Sequence, residues 1–357
     1  MAKEKPVEEE SLQKKLTKSQ LDDLIEKIIS YKNAKELPPH DELMILVDSA
    51  SSVLENEDFS YRPLDDEKKS GGLLDFTDEK YSEMPVVVVP DLHGRADFLI
   101  NLMKSDIVKP NVITALNEKK VFVVCVGDGV HAETRAYERW QKAYKDWEKN
   151  NFCGKSMTEE MHEDISTMQG VMELKCAFPE CFHFLKGNHE NIYSHEGDGD
   201  HSFRKFACEG PMVYDFMREY YGDVIIHLIS CFEKELPVCA IFNRCGITHA
   251  EPRKAYSRKE IINYHKHPSL ILDFTWTPND MAEDGSVGTL FKELNAGSKN
   301  KVLWFGGHRP VFGRYNIRQH GEYVQIHNPD EMNVALVMPD SDFDFDKDVI
   351  SVVKSEE

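Results

Sequence analysis

Five short stretches of the chain set ligand-type side chains beside glycine or proline, each where an apolar run stops. They are PDLHG with Asp91 and His93, GDGVH with Asp128 and His131, GNHEN with Asn188 and His189, THAEP with His249, and GGHRP with His308. Hard oxygens from Asp and Asn, combined with imidazoles, suit divalent or trivalent first-row ions such as Mn, Fe and Zn, and no cysteine stands at these positions to make a thiolate site. Taken singly, each motif has a plainer explanation. Asp128 after Gly127 suits a turn, and a lone His249 or His308 is ordinarily a hydrogen-bonded structural histidine. The ordered set carries more weight. In an α/β sheet the carboxyl ends of the strands open onto one crevice, so residues at successive strand ends meet in space despite wide separation along the chain.

Such strand ends require a sheet to position them. The β-branched runs beginning at Val86 and Val121 do not alternate, which is the pattern of strands buried on both faces. The helical stretch ADFLINLMKS lies between them, and strand, helix, strand is the order of an α/β sheet. Further strands are expected in CFHFLKG from Cys181, VCAIFNRCGIT from Val238, KVLWFGG from Lys301, EYVQIH from Glu322 and NVALVMP from Asn333. The charged, Trp- and Met-dotted region from Arg135 to Phe178 reads as helices with a break at NNFCGKS. Trp140 and Trp147, at helical spacing, are expected to pack on the core. Before the first strand, Leu21, Leu24, Ile25, Ile28 and Ile29 recur at helical intervals with Ser19 as a candidate cap, and a second helix starts after Pro38 and Pro39. The expected organisation is an N-terminal helical extension and linker over residues 1–80, a main domain over 81–340 and an exposed acidic tail over 341–357.

A chain of 357 residues with 41% hydrophobic content buries a large core. Its net charge of −20 opposes unaided binding to nucleic acid or an anionic membrane, so a phosphate-bearing substrate would need locally concentrated cations such as metals. Eight cysteines without a CxxC pair read as reduced thiols rather than a disulfide frame. The charged start and the lack of a membrane-length apolar run give the expectation of a soluble, cytoplasmic protein. HEGDGDH at 195–201 reads as an acidic glycine-rich loop.

The order DxHG, GDxxx, GNHE, HxE, GH resembles the calcineurin-like metallophosphoesterase superfamily. Longer stretches, among them MELKCAFPECFHFLKGNHEN, FEKELPVCAIFNRCGITHAEP and LWFGGHRPVFG, resemble the serine/threonine phosphoprotein phosphatases over residues 40 to 340. The resemblance implies a four-layer α/β/β/α sandwich with two divalent or trivalent ions (Mn, Fe or Zn). Asp91 and His93 would hold the first, Asp128 would bridge, and Asn188, His249 and His308 would complete the second. Many superfamily members place another histidine two residues after the last ligand. Pro310 stands there instead, which implies three protein ligands for the first ion. Two such ions share and activate a water for in-line attack on a phosphoryl group. His189 would then protonate the leaving oxygen, a task suited to an imidazole.

The chain also departs from the phosphatase pattern. Where that family reads GDxVDRG, this chain reads GDGVHAE. His131 replaces the aspartate that orients the acid histidine, and Ala132 replaces a phosphate-binding arginine. A second such arginine is missing between Asp273 and Phe291. Arg95, Arg253 and Arg309 are the expected substitutes, and Glu133 the expected replacement carboxylate for His189. Metal-dependent hydrolysis of phosphomonoesters follows, with phosphoserine and phosphothreonine as the family's inference and a phosphoprotein or small phosphoester as substrate. Cleavage of dinucleoside polyphosphates or cyclic phosphodiesters is the alternative chemistry for the same centre. A silent scaffold is the alternative of another class, and retention of the whole ligand set argues against it.

Overall fold

The computed structural model describes residues 15–294 and 302–353. The charged start of the chain, Lys301 of the expected KVLWFGG strand and the last four residues lie outside the described residues. The strands are β1 (Leu73–Phe76), β2 (Val86–Val89), β3 (Phe122–Cys125), β4 (Phe182–Phe184), β5 (Cys239–Phe242), β6 (Cys245–Ile247), β7 (Leu303–Gly306), β8 (Asn316–Arg318), β9 (Tyr323–Gln325), β10 (Asn333–Val337) and β11 (Val349–Ser351). They form one sheet in the order β1-β5-β6-β7-β9-β8 and a second in the order β11-β10-β2-β3-β4. The helices are α1 (Lys18–Asn33), α2 (His40–Glu55), α3 (Ala96–Lys104), α4 (Val112–Asn117), α5 (Tyr137–Trp147), α6 (Lys155–Ala177), α7 (Glu209–Tyr220), α8 (Asp223–Glu235), α9 (Arg258–Ile262), α10 (Pro268–Thr275), α11 (Ser286–Leu294) and α12 (Phe345–Asp348).

All four residues of β2 and of β3 are buried, as their unbroken apolar runs require. The two sheets meet through aromatic side chains, with ring centroids 4.4 Å apart for Phe76 and Phe122 and 5.2 Å apart for Phe122 and Phe242. On the outer face of the six-stranded sheet, Leu73, Ile241, Trp304 and Tyr323 form a second core with Ile261, Leu270, Phe274 and Leu290 of α9, α10 and α11. Helices α1, α2, α3 and α6 join the main core with the other sheet. The result is the expected sandwich of two sheets between helical layers.

The expected boundaries do not coincide with breaks in this fold. β1 precedes residue 80 yet pairs in parallel with β5, Leu73 opposite Cys239. α1 and α2 bury Leu21, Ile25, Ile28, Leu43, Val47 and Leu54 in the main core. In the C-terminal stretch β11 pairs antiparallel with β10, Val349 opposite Ala335. The α1 cap is Thr17, not Ser19: the Thr17 side chain accepts from Gln20 N–H while the Gln20 side chain accepts from Thr17 N–H, a reciprocal capping box.

A fully buried charge network, which no sequence motif announces, locks α2 to the sheet. Glu57 receives Arg62 Nη1 at 2.5 Å and also the Lys175 ammonium of α6. Lys175 Nζ donates further to the carbonyls of Pro179 and Phe182 around β4. Burial alone would raise the Glu57 pKa, but the charges of Lys175 and Arg62 outweigh it and hold the carboxyl well below its ordinary range.

Candidate metal centre

The parallel pairings β2-β3-β4 and β6-β7-β9 bring six strand ends to one edge of the sandwich. Asp91 and His93 follow β2, Asp128 follows β3, Asn188 follows β4, His249 follows β6 and His308 follows β7. All six are buried. Four residues of this region, His93, Asp128, His131 and His308, hold positive φ between 45° and 74°. Non-glycine residues in that region are strained and persist where the surroundings over-determine them. Two glycines permit the close approach. A Cβ on Gly307 would lie 2.2 Å from Asp91 Oδ1, and one on Gly187 would lie 2.2 Å from Asp128 Oδ1.

Asp128 stands at the centre. Its Oδ2 is 3.8 Å from His93 Nε2, 3.5 Å from His249 Nε2 and 3.7 Å from His189 Nε2. Its Oδ1 accepts the His189 backbone N–H at 2.9 Å. On one side Asp91, His93 and His327 converge, and on the other Asp91, Asp128 and His249. Asn188 Oδ1 lies 2.9 Å from His249 Nε2 and 2.7 Å from His308 Nδ1. Glu190, of the same GNHEN motif, accepts the backbone N–H groups of Asp128, Gly129 and Gly187 and so ties the β3 and β4 ends together.

Electrostatics favour a cation here. Burial, reinforced by the charges of Glu190 and Asp91, pushes the Asp128 carboxyl upward. Burial, with help from His327 and His131, lowers His93 to about 3, and burial lowers His249 to about 4. The imidazoles are therefore held neutral, which is the ligating form. Asp91 Oδ2, His308 Nε2 and His327 Nδ1 are buried without a hydrogen-bond partner. Orphaned buried acceptors of this kind need a partner, and oxygens with imidazoles fit Mn, Fe or Zn.

His327, after β9, is the residue that sequence reasoning missed. Its Nδ1 faces Asp91 Oδ2 at 3.3 Å, and its Nε2 bonds Glu133 Oε2 at 2.8 Å. It approaches the side of the first ion, where Pro310 had suggested that protein ligands stop at three. The signal in the sequence was a histidine closing an apolar strand, EYVQIH, without a companion motif.

Of the remaining expected site residues, His131 and His189 stay within ligand distance of His93, while Glu133 and Arg95 take other partners. His189 stacks on Phe203 at 4.5 Å and lies 4.9 Å from the His131 ring. His131 packs 5.0 Å from Trp140, and its Nε2 is 3.6 Å from Glu209 Oε1. Glu209 is thus a carboxylate beside His131. Glu133 instead reaches His327, His93 at 3.7 Å and the Lys205 ammonium. Arg95 is turned away from the cluster: Nε bonds Leu92 O, Nη2 bonds Asp91 O at 2.8 Å, and Nη1 bonds the carbonyls of Asn328, Pro329 and Glu331. With these donors engaged it is a strut for the loop that carries His327, not a free phosphate ligand. Arg253 is exposed, with its backbone bonded to Asp273 and Glu283. Arg309 is exposed next to His308, and its charge contributes to lowering His308 and His249.

The family model described as calcineurin-like phosphoesterase matches residues 84–337. Among solved structures, a protein serine/threonine phosphatase from Saccharomyces cerevisiae, described as similar to human phosphatase PP5, superposes with a TM-score of 0.57 at 13% identity, covering 88% of this chain and 89% of that one. A cold-active protein-tyrosine phosphatase of a psychrophilic Shewanella species is also found, with a TM-score of 0.43 and 13% identity over 73% of this chain and 76% of that one. A search of curated proteins finds no significant match. At such identity the likeness to the yeast protein is one of fold. No helix among the described residues is long and apolar enough to cross a membrane. With the family model spanning most of the chain and its metal-ligand motifs converging at one sheet edge, the chain belongs to the calcineurin-like phosphoesterase family, a family of phosphoester hydrolases using divalent metal ions.

Proposed function

We propose that the chain hydrolyses phosphomonoesters at a dinuclear centre of Mn, Fe or Zn, with Asp91, His93, Asp128 and His327 around one ion and Asp128, Asn188, His249 and His308 around the other. The observation that carries this is the position of the Asp128 carboxylate between His93 and His249, 3.8 and 3.5 Å from their Nε2 atoms. Bound there, the ions would supply an activated water and neutralise phosphoryl charge. The protein's share is positioning. Glu190 fixes the loop of Asp128, Val130 O fixes the His93 ring through Nδ1 at 3.0 Å, and Val126 O fixes His249 through Nδ1 at 3.2 Å.

His189 is the acid for the leaving oxygen in this proposal. Its ring is clamped between Phe203 and His131, and its Nδ1 has no protein partner. A dianionic phosphate arriving beside it favours the protonated ring. Serine or threonine phosphate is the substrate inferred from the family pattern. Hydrolysis of a simple aryl phosphate should exceed that of its bis-aryl diester with manganese-loaded protein. Preference for the diester would transfer the assignment to phosphodiesters. Replacing His189 by Asn should slow alkyl phosphates more than phenolic ones, whose leaving groups need less protonation.

A further inference from the structure

The phosphate-binding arginines of the phosphatase pattern are absent, and Arg95 is engaged by carbonyls, so a different cation must meet the substrate's phosphoryl oxygens. Arg135 does not meet the need. Its Nη2 donates to His93 O at 2.8 Å, and both terminal nitrogens reach Glu163. Lys205 differs. It comes from the loop between β4 and α7, and its ammonium bonds Glu133 Oε1. That same oxygen lies 3.7 Å from His93 Nε2. The ammonium is thus one carboxylate away from the metal-ligand cluster, while the side chain keeps 37% of its surface in solvent.

The loop is also held in place before any ligand arrives. Glu209 Oε2 accepts Lys205 N–H at 2.9 Å, and Glu209 Oε1 accepts Ala207 N–H at 2.9 Å. Phe203, two residues earlier, stacks on His189. An ammonium has three donors, and Glu133 occupies one of them, leaving others for an incoming anion.

Building on the phosphoesterase assignment, we propose that Lys205 is the phosphoryl-binding cation on the His93 side of the centre, a substrate-positioning residue standing in for the arginine that Ala132 replaces. Arg309, exposed beside His308, flanks the opposite side. Lysine is a point charge and lacks the planar fork of arginine, so the grip is less directional than the one it replaces.

The test is inorganic phosphate binding to the manganese-loaded full chain, measured by calorimetry alongside metal content. Loss of one charge-assisted contact should weaken phosphate binding about ten-fold or more in Lys205→Gln, with bound manganese unchanged, and Lys205→Arg should recover most of it. Equal phosphate affinity in wild type and Lys205→Gln would overturn the assignment. So would loss of manganese in Lys205→Gln with arginine failing to restore phosphate binding, because the role would then be support of Glu133. The readout is binding, so a wild type that binds phosphate through Lys205 but hydrolyses no ester would sink the hydrolase proposal and leave this one standing.

Discussion

Glu133 and His327 are 194 residues apart in the chain and bond at 2.8 Å. An ionised carboxylate can only accept, so the proton sits on His327 Nε2, and Nδ1 is left bare toward Asp91. Burial would raise the Glu133 pKa, but His93, His327 and Lys205 outweigh it and hold the carboxyl ionised, far below its usual range. The arrangement is that of a carboxylate orienting a metal-ligating imidazole.

Glu133→Gln should therefore weaken metal binding. The expected loss is about 10- to 100-fold in affinity for one of two ions, because an amide can present its own N–H to His327 and no longer fixes the tautomer. Sequence reasoning had placed Glu133 beside His189, where the same change would cost activity and spare the metal. Titration with manganese distinguishes the two, and unchanged affinity with reduced turnover would restore the earlier role.

Arg95 offers a second contrast. As a strut it bonds five backbone carbonyls from Asp91 to Glu331. Arg95→Met leaves buried acceptors unfilled and should cost about 3 kcal/mol of stability, seen as a lower denaturation midpoint, together with weaker metal binding at the His327 side. A phosphate ligand would behave oppositely, with KM raised and stability intact.

The same two residues show what the sequence could reveal. Asp91, Asp128, Asn188, His249 and His308 were legible because each follows a mainly apolar strand in a short motif that carries glycine or proline, and the parallel pairing of those strands then brings them together. His327 ends a strand too, but alone. The His327 partner of Glu133 and the Asn328, Pro329 and Glu331 partners of Arg95 lie 194 and more residues away, set by how β9 docks beside β7, which no local pattern encodes. β1, β8 and β11 were missed for a related reason. They are three or four residues long and are strands only because a neighbour pairs with them.

The buried Glu57 network sets an acid limit on stability. A carboxyl whose folded pKa is depressed contributes stability that is present above its unfolded value, near 4.5, and is lost as pH falls below it. Glu57→Gln leaves Arg62 and Lys175 without a counter-charge and should cost about 3 to 5 kcal/mol at pH 7. The gap to wild type should narrow as pH falls below about 4.5, because the unfolded carboxyl takes up a proton while the folded one stays ionised. Urea unfolding across pH 3 to 7 measures this, and a gap independent of pH would assign the loss to packing.

The dinuclear assignment rests on Asp128 standing between two ligand sets, and anomalous diffraction from manganese-loaded crystals tests it most directly. Two peaks should flank the Asp128 carboxylate, one within reach of Asp91, His93 and His327 and the other beside Asn188, His249 and His308. A single ion held by His93, His131 and His189, with none touching Asp128, would contradict it.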